Sequence, residues 1–275
     1  ATSFSSFSRG SYLSQCELNL MRDKALVIIL AFCFILSGCI GGGENTSDIE
    51  ISVDIQGSPG NTHYIKDSNN GTSIEEVEVN FDFTGTESSG GAITEFWLEP
   101  GDGSQRISVN AAETKSLMKA YESYGVFVAK AGANDSGENS QYSEISIKLA
   151  GVFHLNETSP TGVDNPANLH IDAMNSESTQ NPSSLEITST ITNVENLAIL
   201  PPPDDVEITW QLFDPTGELI ASHTQVISDG ESYTWTHNVD DISTYNQEDG
   251  GWELIIEDAV DEENVNQQTT ALVSF

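Results

Sequence analysis

Basic residues are what this sequence has least of. Nine Lys and Arg stand against 43 Asp and Glu in 275 residues, a formal net charge of −34. Lys148 is the last of the nine, and residues 151–275 contain none. A surface of that sign repels phosphate backbones and anionic membrane, which excludes nucleic-acid binding. It also denies the second half ordinary salt bridges, so its carboxylates are solvated, paired with cations or used as hydrogen-bond acceptors. Catalytic signatures are missing as well. There is no Gly-x-Ser-x-Gly elbow and no glycine-rich phosphate loop carrying a Lys. The five histidines, His63, His154, His170, His223 and His237, lack the close spacing of a zinc helix or a two-His carboxylate site, so each reads as a packing or surface residue. At this acidity carboxylate pairs arise by chance and nominate no glycosidase dyad. The expectation is a protein that is not an enzyme. Lys- and Ala-rich stretches are scarce while Gly, Ser, Thr and Asn abound, which favours strands and turns.

The one apolar run near the start is Ala25 to Leu36, preceded by Met21-Arg22-Asp23-Lys24 and followed by Ser37-Gly38-Cys39. A basic start, a short apolar stretch and small residues have the layout of a secretory signal peptide. The run is shorter than the roughly 20 apolar residues a permanent membrane helix needs. Leu36-Ser37-Gly38-Cys39 resembles the lipobox of bacterial and archaeal lipoproteins, which implies cleavage between Gly38 and Cys39 and lipid on the Cys39 thiol. Acyl chains contribute about 0.8 kcal/mol per buried CH₂, so two or more anchor stably where one is marginal. On this reading residues 1–20 are upstream translation with Met21 the initiator, residues 21–38 are the leader, and residues 39–48 are a Gly-rich flexible tether. Cys16 and Cys33 leave with the leader, so the mature chain has no disulfide framework. The expected place is outside the cytoplasm, anchored to the membrane and facing outward.

Residues 49–150 read as a first β-sandwich. Ile49, Ile51, Val53 and Ile55 alternate with polar residues, as do Val77, Val79, Phe81 and Phe83, the mark of half-buried strands. Phe96-Trp97-Leu98, Ile107 with Val109, Val126 with Val128, and Ile145 to Leu149 supply further strands, with Gly- and Asn-rich turns between. Ala111 to Tyr121 has helix-favouring composition and admits a short helix instead. The aromatic strand running into Gly101-Asp102-Gly103, then Tyr121 leading to Gly125-Val126, resembles the PKD (polycystic kidney disease) domain. That resemblance covers most of residues 75–150 and implies an immunoglobulin-like sandwich mediating protein or carbohydrate contacts. Here Trp97, Tyr121 and Gly125 read as packing and corner positions. Gly101 and Gly103 allow positive φ, while Asp102 accepts backbone N–H bonds across the bend.

Residues 151–275 read as a second all-β module. Val206 to Phe213 alternates, turns at Asp214-Pro215-Thr216-Gly217 and returns, a hairpin. Leu185, Ile187 and Ile191, then Tyr233, Trp235, His237 and Val239, then Trp252 to Ile256 and Ala271 to Phe275, complete it. The segments around Trp210 and Trp252 resemble pieces of the jelly-roll domains attached to secreted proteases, which implies a sandwich or jelly roll. Pro201-Pro202-Pro203 reads as a stiff loop.

No cofactor is required by these patterns. Calcium is the one ion to consider: Asp258, Asp261, Glu262 and Glu263 crowd one loop with the oxygen ligands calcium takes, as Asp240 and Asp241 do another, though without an EF-hand pattern. Asn45, Asn70, Asn134 and Asn156 each begin a glycosylation sequon. Three functions stay open: a surface-anchored binding or adhesion module for extracellular protein or carbohydrate, a passive spacer in an acidic envelope, and an accessory non-catalytic part of a secreted hydrolase system. Exposed Trp or Tyr on a sheet face favours glycan binding.

Overall fold

The computed structural model describes residues 48–56, 61–67, 71–159, 162, 166–194, 205–245, 251–258 and 265–275. The described chain is built of strands, as the composition predicts. The first eleven are β1 (Ile49–Glu50), β2 (Asp54–Gln56), β3 (Asn61–Asp67), β4 (Gly71–Glu75), β5 (Val77–Asp82), β6 (Glu87–Ser88), β7 (Ile93–Glu99), β8 (Ile107–Asn110), β9 (Ser116–Tyr121), β10 (Gly125–Asp135) and β11 (Ser140–Glu157). Then follow β12 (Leu169–Ile171), β13 (Ser184–Asn193), β14 (Val206–Phe213), β15 (Leu219–Ile227), β16 (Ser232–Asp240), β17 (Trp252–Asp258) and β18 (Val265–Ser274).

Two hydrophobic cores divide them. The first lies between the sheet β2-β5-β9 and the sheet β8-β7-β10-β11, with the short pair β1-β6 beside them. Val77, Val79 and Phe81 point inward from β5, facing Phe96 and Leu98 of β7 and Phe127, Ala129, Ala131 and Ala133 of β10. The second core lies between β12-β17-β14-β15 and β4-β3-β11-β18-β13-β16, and holds Trp210 and Trp252 fully buried.

Two local expectations change. The alternating stretch 49–55 is not one strand: β1 pairs with β6 and β2 pairs with β5, so the chain crosses from one pairing to another between them. The alternation of burial survives the crossing. The helix admitted for 111–121 does not form. Residues 116–121 pair antiparallel with β5, sending Leu117 and Tyr121 into the core and Met118 to solvent. Burial on a sheet face overrides a small helix preference there.

The passage from one core to the other falls inside β11. Its first part pairs with β10 through Leu149, and its continuation pairs in parallel with β3 from Ala150 on one edge and antiparallel with β18 from Gly151 on the other. Tyr124, though ahead of that point, packs in the second core, edge-on to Tyr64 at 5.5 Å and to Phe153 at 5.6 Å between ring centres. Its hydroxyl donates to the Asp172 carbonyl, and its own carbonyl accepts from Asn175 Nδ2 at 2.6 Å. Gly151 lies beneath that ring, where a Cβ would come within 2.7 Å of it.

Candidate functional site

The outer face of the sheet β8-β7-β10-β11 carries an aromatic cluster that belongs to neither core. Strand register sets it out: Ser108, Trp97, Gly132 and Tyr142 lie directly across from one another on β8, β7, β10 and β11. Because side chains alternate along a strand, Phe96 and Leu98 enter the core and Trp97 between them faces out. Trp97 is nonetheless only 4% exposed, since its indole lies flat over Gly132. A Cβ on Gly132 would sit 2.3 Å from Trp97 Cζ2, so glycine makes the seat. Above the indole stands the Arg106 guanidinium, 4.0 Å from the ring centre, and beside it Tyr142 at 6.0 Å. Tyr142 is 46% exposed, and Lys130 lies 5.4 Å from its ring centre.

Charge on this face is mixed. Arg106 pairs with Glu95 at 3.5 Å, and Lys130 with Glu99 at 4.0 Å. Asn134 Nδ2 donates to Glu95 Oε2 at 2.5 Å. The indole N–H of Trp97 is buried without a hydrogen-bond partner among the described residues, a donor on the sheet's outer side. An exposed ring flanked by forked donors and carboxylates suits a ligand with one apolar face and a hydroxyl rim.

The turn and corner residues named from sequence lie at the end of the same strand β7. Gly101 and Gly103 have φ of +82° and +77°, and a Cβ on Gly101 would come within 2.5 Å of the Val128 carbonyl. Asp102 Oδ1 accepts the Ser104 backbone N–H at 3.0 Å and also its hydroxyl. Its Oδ2 meets Lys119 Nζ at 2.9 Å. Burial would raise the Asp102 carboxyl, but hydrogen bonds from Lys119 and Ser104 outweigh it and hold the group below the usual range. Tyr121 is fully buried and donates to the Pro100 carbonyl at 3.1 Å, tying strand β9 to the turn. Gly125 opens β10 at φ +139° against Ser178, where a Cβ would come within 2.8 Å. These residues build the turn, and Trp97 alone of the set belongs to the aromatic face.

Other sequence candidates disperse. Asn134 lies within β10 with its amide engaged by Glu95, and Asn156 lies within β11. Asp258 ends β17, and Asp241 occupies a left-handed position with its carboxylate accepting the Ser243 hydroxyl. Gly38, Cys39, Asn45, Asn70, Pro201 to Pro203, Asp261, Glu262 and Glu263 lie outside the described residues. Among the described residues no three or more His, Cys, Asp or Glu converge to hold a metal ion. Two histidines that looked unrelated do meet: His63 Nδ1 and His154 Nε2 are 2.9 Å apart. Tyr142, Gly132, Arg106 and Lys130 escaped the sequence reading, because only strand register brings them to Trp97.

No family model matches the chain, and no curated protein does. Among solved structures the chain is similar to one described as the basis for promiscuous specificity of carbohydrate-binding modules from the β-sandwich superfamily, at 11% identity and TM-score 0.29 over 84% of this chain and 98% of that one. It is similar to the VP2 subviral particle of infectious bursal disease virus at 10% identity and TM-score 0.26, over 86% and 75%. SGBP-B of the Bacteroides ovatus mixed-linkage glucan utilization locus, in complex with a mixed-linkage heptasaccharide, is similar at 8% identity and TM-score 0.19, over 84% of this chain and 69% of that one. At these identities and scores none bears on what this chain binds.

Proposed function

We propose that this chain is a non-catalytic binding protein displayed outside the cell, whose first, PKD-like sandwich takes a saccharide on the outer face of β8-β7-β10-β11. In this reading Cys39 carries the lipid and residues 39–48 hold the sandwiches off the membrane. One observation carries the proposal: a tryptophan outside both cores, laid over Gly132, with a half-exposed tyrosine beside it. Trp97 packs on the outer side of the sheet and belongs to neither core cluster. Trp97 forms the floor, Tyr142 offers its ring to a sugar's C–H face, and Arg106 and Lys130 donate to its oxygens.

The experiment is affinity electrophoresis of the purified chain through a panel of soluble polysaccharides, with Tyr142→Ala and Arg106→Ala beside it. Retardation by at least one polysaccharide, lost in Tyr142→Ala while the thermal midpoint stays put, is the expected result. No retardation on any of them, or retardation indifferent to Tyr142, defeats the proposal.

The spacer reading has its own support in β11, whose 18 residues run unbroken from one core into the other. At about 3.3 Å per residue that strand is roughly 60 Å of continuous backbone. Tyr142→Ala separates the two roles, since a spacer tolerates it and a saccharide site does not.

A further inference from the structure

One sheet edge of the second sandwich lacks the charges that guard the others. β15 ends the sheet β12-β17-β14-β15, and among the described residues it pairs with β14 alone. Its nine residues, Leu219 to Ile227, contain no Asp, Glu, Lys, Arg or Pro. The other strands that end a sheet either carry a charged residue, as β2, β4, β9 and β16 do, or are no longer than four residues. Charge, proline and shortness are what keep a sheet edge from accepting another strand. A bulge against β14 falls at Leu219 to Ala221, and from Ala221 to Ile227 the strand is regular. An extended edge of that length presents its unpaired N–H and C=O groups as a template for one more strand.

The two sides of this edge differ. Ser222, Thr224 and Val226 turn outward and are exposed, while Ala221, His223 and Gln225 turn inward and are half-buried. On the inner side the His223 and Tyr233 rings lie within 18° of parallel at 5.4 Å between centres, and Trp235 and His237 continue along β16 within 7° at 5.6 Å. A side chain entering from an added strand meets this aromatic row, which favours an apolar one. The outer side is acidic. Glu207 lies opposite Val226, Glu257 stands in the same row as Thr224 beyond Thr209, and exposed Glu218 and Glu231 flank the strand. Residues 151–275 supply no Lys or Arg to offset them. A second copy of this edge would bring carboxylates against carboxylates, so charge selects a cationic occupant.

We infer that the free edge of β15 is a docking site for an extended basic segment of a partner protein, added as a further strand. The segment's backbone continues the ladder. Its apolar side chains turn toward His223 and Tyr233, and its Lys or Arg side chains turn outward to Glu207 and Glu257. This surface belongs to the second sandwich and does not depend on the saccharide face of the first.

The test is fluorescence anisotropy of a labelled nonapeptide alternating Lys and Val, titrated with the full chain, beside a Glu–Val counterpart and a Lys–Val peptide with proline at its centre. Hydrogen exchange of the peptide-loaded chain locates the contact. Expected are saturable binding of the Lys–Val peptide, binding at least tenfold weaker for the other two, and slowed exchange in residues 221–227. Ser222→Lys with Thr224→Lys, which puts cations on the edge, should weaken binding at least tenfold. Thr234→Lys with Thr236→Lys, the same charge change on β16, should weaken it far less. Should the β15 variant misfold, the exchange map of the unaltered chain and the proline peptide carry the decision. No saturable binding, equal binding of the Glu–Val or proline peptide, or protection away from β15 overturns the assignment. A dimer of the free chain in sedimentation, dissociated by the β15 variant, overturns it too and gives the edge to a second copy.

Discussion

Gly132→Ala is the substitution that tests the aromatic face most directly. The new methyl would stand 2.3 Å from Trp97 Cζ2, 2.4 Å from Cε2 and 2.6 Å from the Gln141 carbonyl. Carbon atoms rest at about 3.5–4.0 Å, so the indole must rise by somewhat more than 1 Å, lifting Arg106 with it. A tryptophan buries about 150–250 Å², and surrendering one ring face gives up roughly half of that. At about 25 cal/mol per Å² the loss is about 2–3 kcal/mol. Against it stands the gain of about 0.5–1 kcal/mol from replacing glycine inside a strand. The net expectation is destabilisation of about 1–2.5 kcal/mol, read as a shift of the urea midpoint at constant slope.

The decisive comparison is a double-mutant cycle. With Trp97→Ala in place the ring that the methyl strikes is gone, and only the Gln141 carbonyl contact remains. The same Gly132→Ala change should then cost at least about 1 kcal/mol less, a coupling in the range found for touching residues. Equal costs in the two backgrounds would show that glycine is needed for the backbone alone, and the seat for Trp97 would fall with them.

Three further outcomes follow from the same geometry. Tyr121→Phe removes the buried hydrogen bond to the Pro100 carbonyl and should cost about 1 kcal/mol in denaturant unfolding, and an unchanged midpoint would deny the corner its role. Asp135 is held at about 2 by hydrogen bonds from Asn139 and Ser88 first, then from the backbone at Asn139 and Gly137. Its folded value lies below the unfolded value of about 3.9, so it stabilises above that pH, and the contribution is lost as pH falls from about 4 to about 2. Thermal midpoints of Asp135→Asn should therefore fall less steeply through that window than those of the unaltered chain, and parallel curves would refute this. Because the net charge is −34, raising salt from low ionic strength to about 0.5 M shortens the screening length and should raise the thermal midpoint, whereas a flat salt response would mean that bound cations already neutralise the surface.

How far the sequence could be read depends on which interactions are local. Alternation in Val77 to Phe83, Val206 to Phe213 and Tyr233 to Val239 announces strands because each face meets a different medium, and that needs no knowledge of the partner. The same signal is silent on pairing. Ile49 to Ile55 keeps its alternation while changing partners, and Ser116 to Tyr121 carries a helix-favouring composition that yields to the sheet beside it. The hairpin β3-β4 has no strong pattern of its own, and its parallel pairing with β11 is a long-range event that no local window contains.

The candidate site and the histidine contact lie on the illegible side of that line, and for a physical reason. In a sheet the neighbours of a side chain on its own face are two residues along its strand or directly across on the next strand. Trp97 acquires Gly132 and Tyr142 through register, and His63 acquires His154 through a diagonal of a parallel pair. A one-residue slip in β10 would turn Gly132 into the core and place an Ala side chain under the indole, so the aromatic face exists only in the observed register. What fixes that register lies at the turn of the same hairpin, just beyond the Ala133–Gln141 and Asn134–Ser140 pairs. Asp135 accepts from Gly137, Asn139 and Ser88, closing the β10-β11 turn at one length and setting Gly132 opposite Tyr142. The turn carboxylate therefore acts on the aromatic face through the register of the hairpin, and loss of its hydrogen bonds is expected to loosen the seat of Trp97.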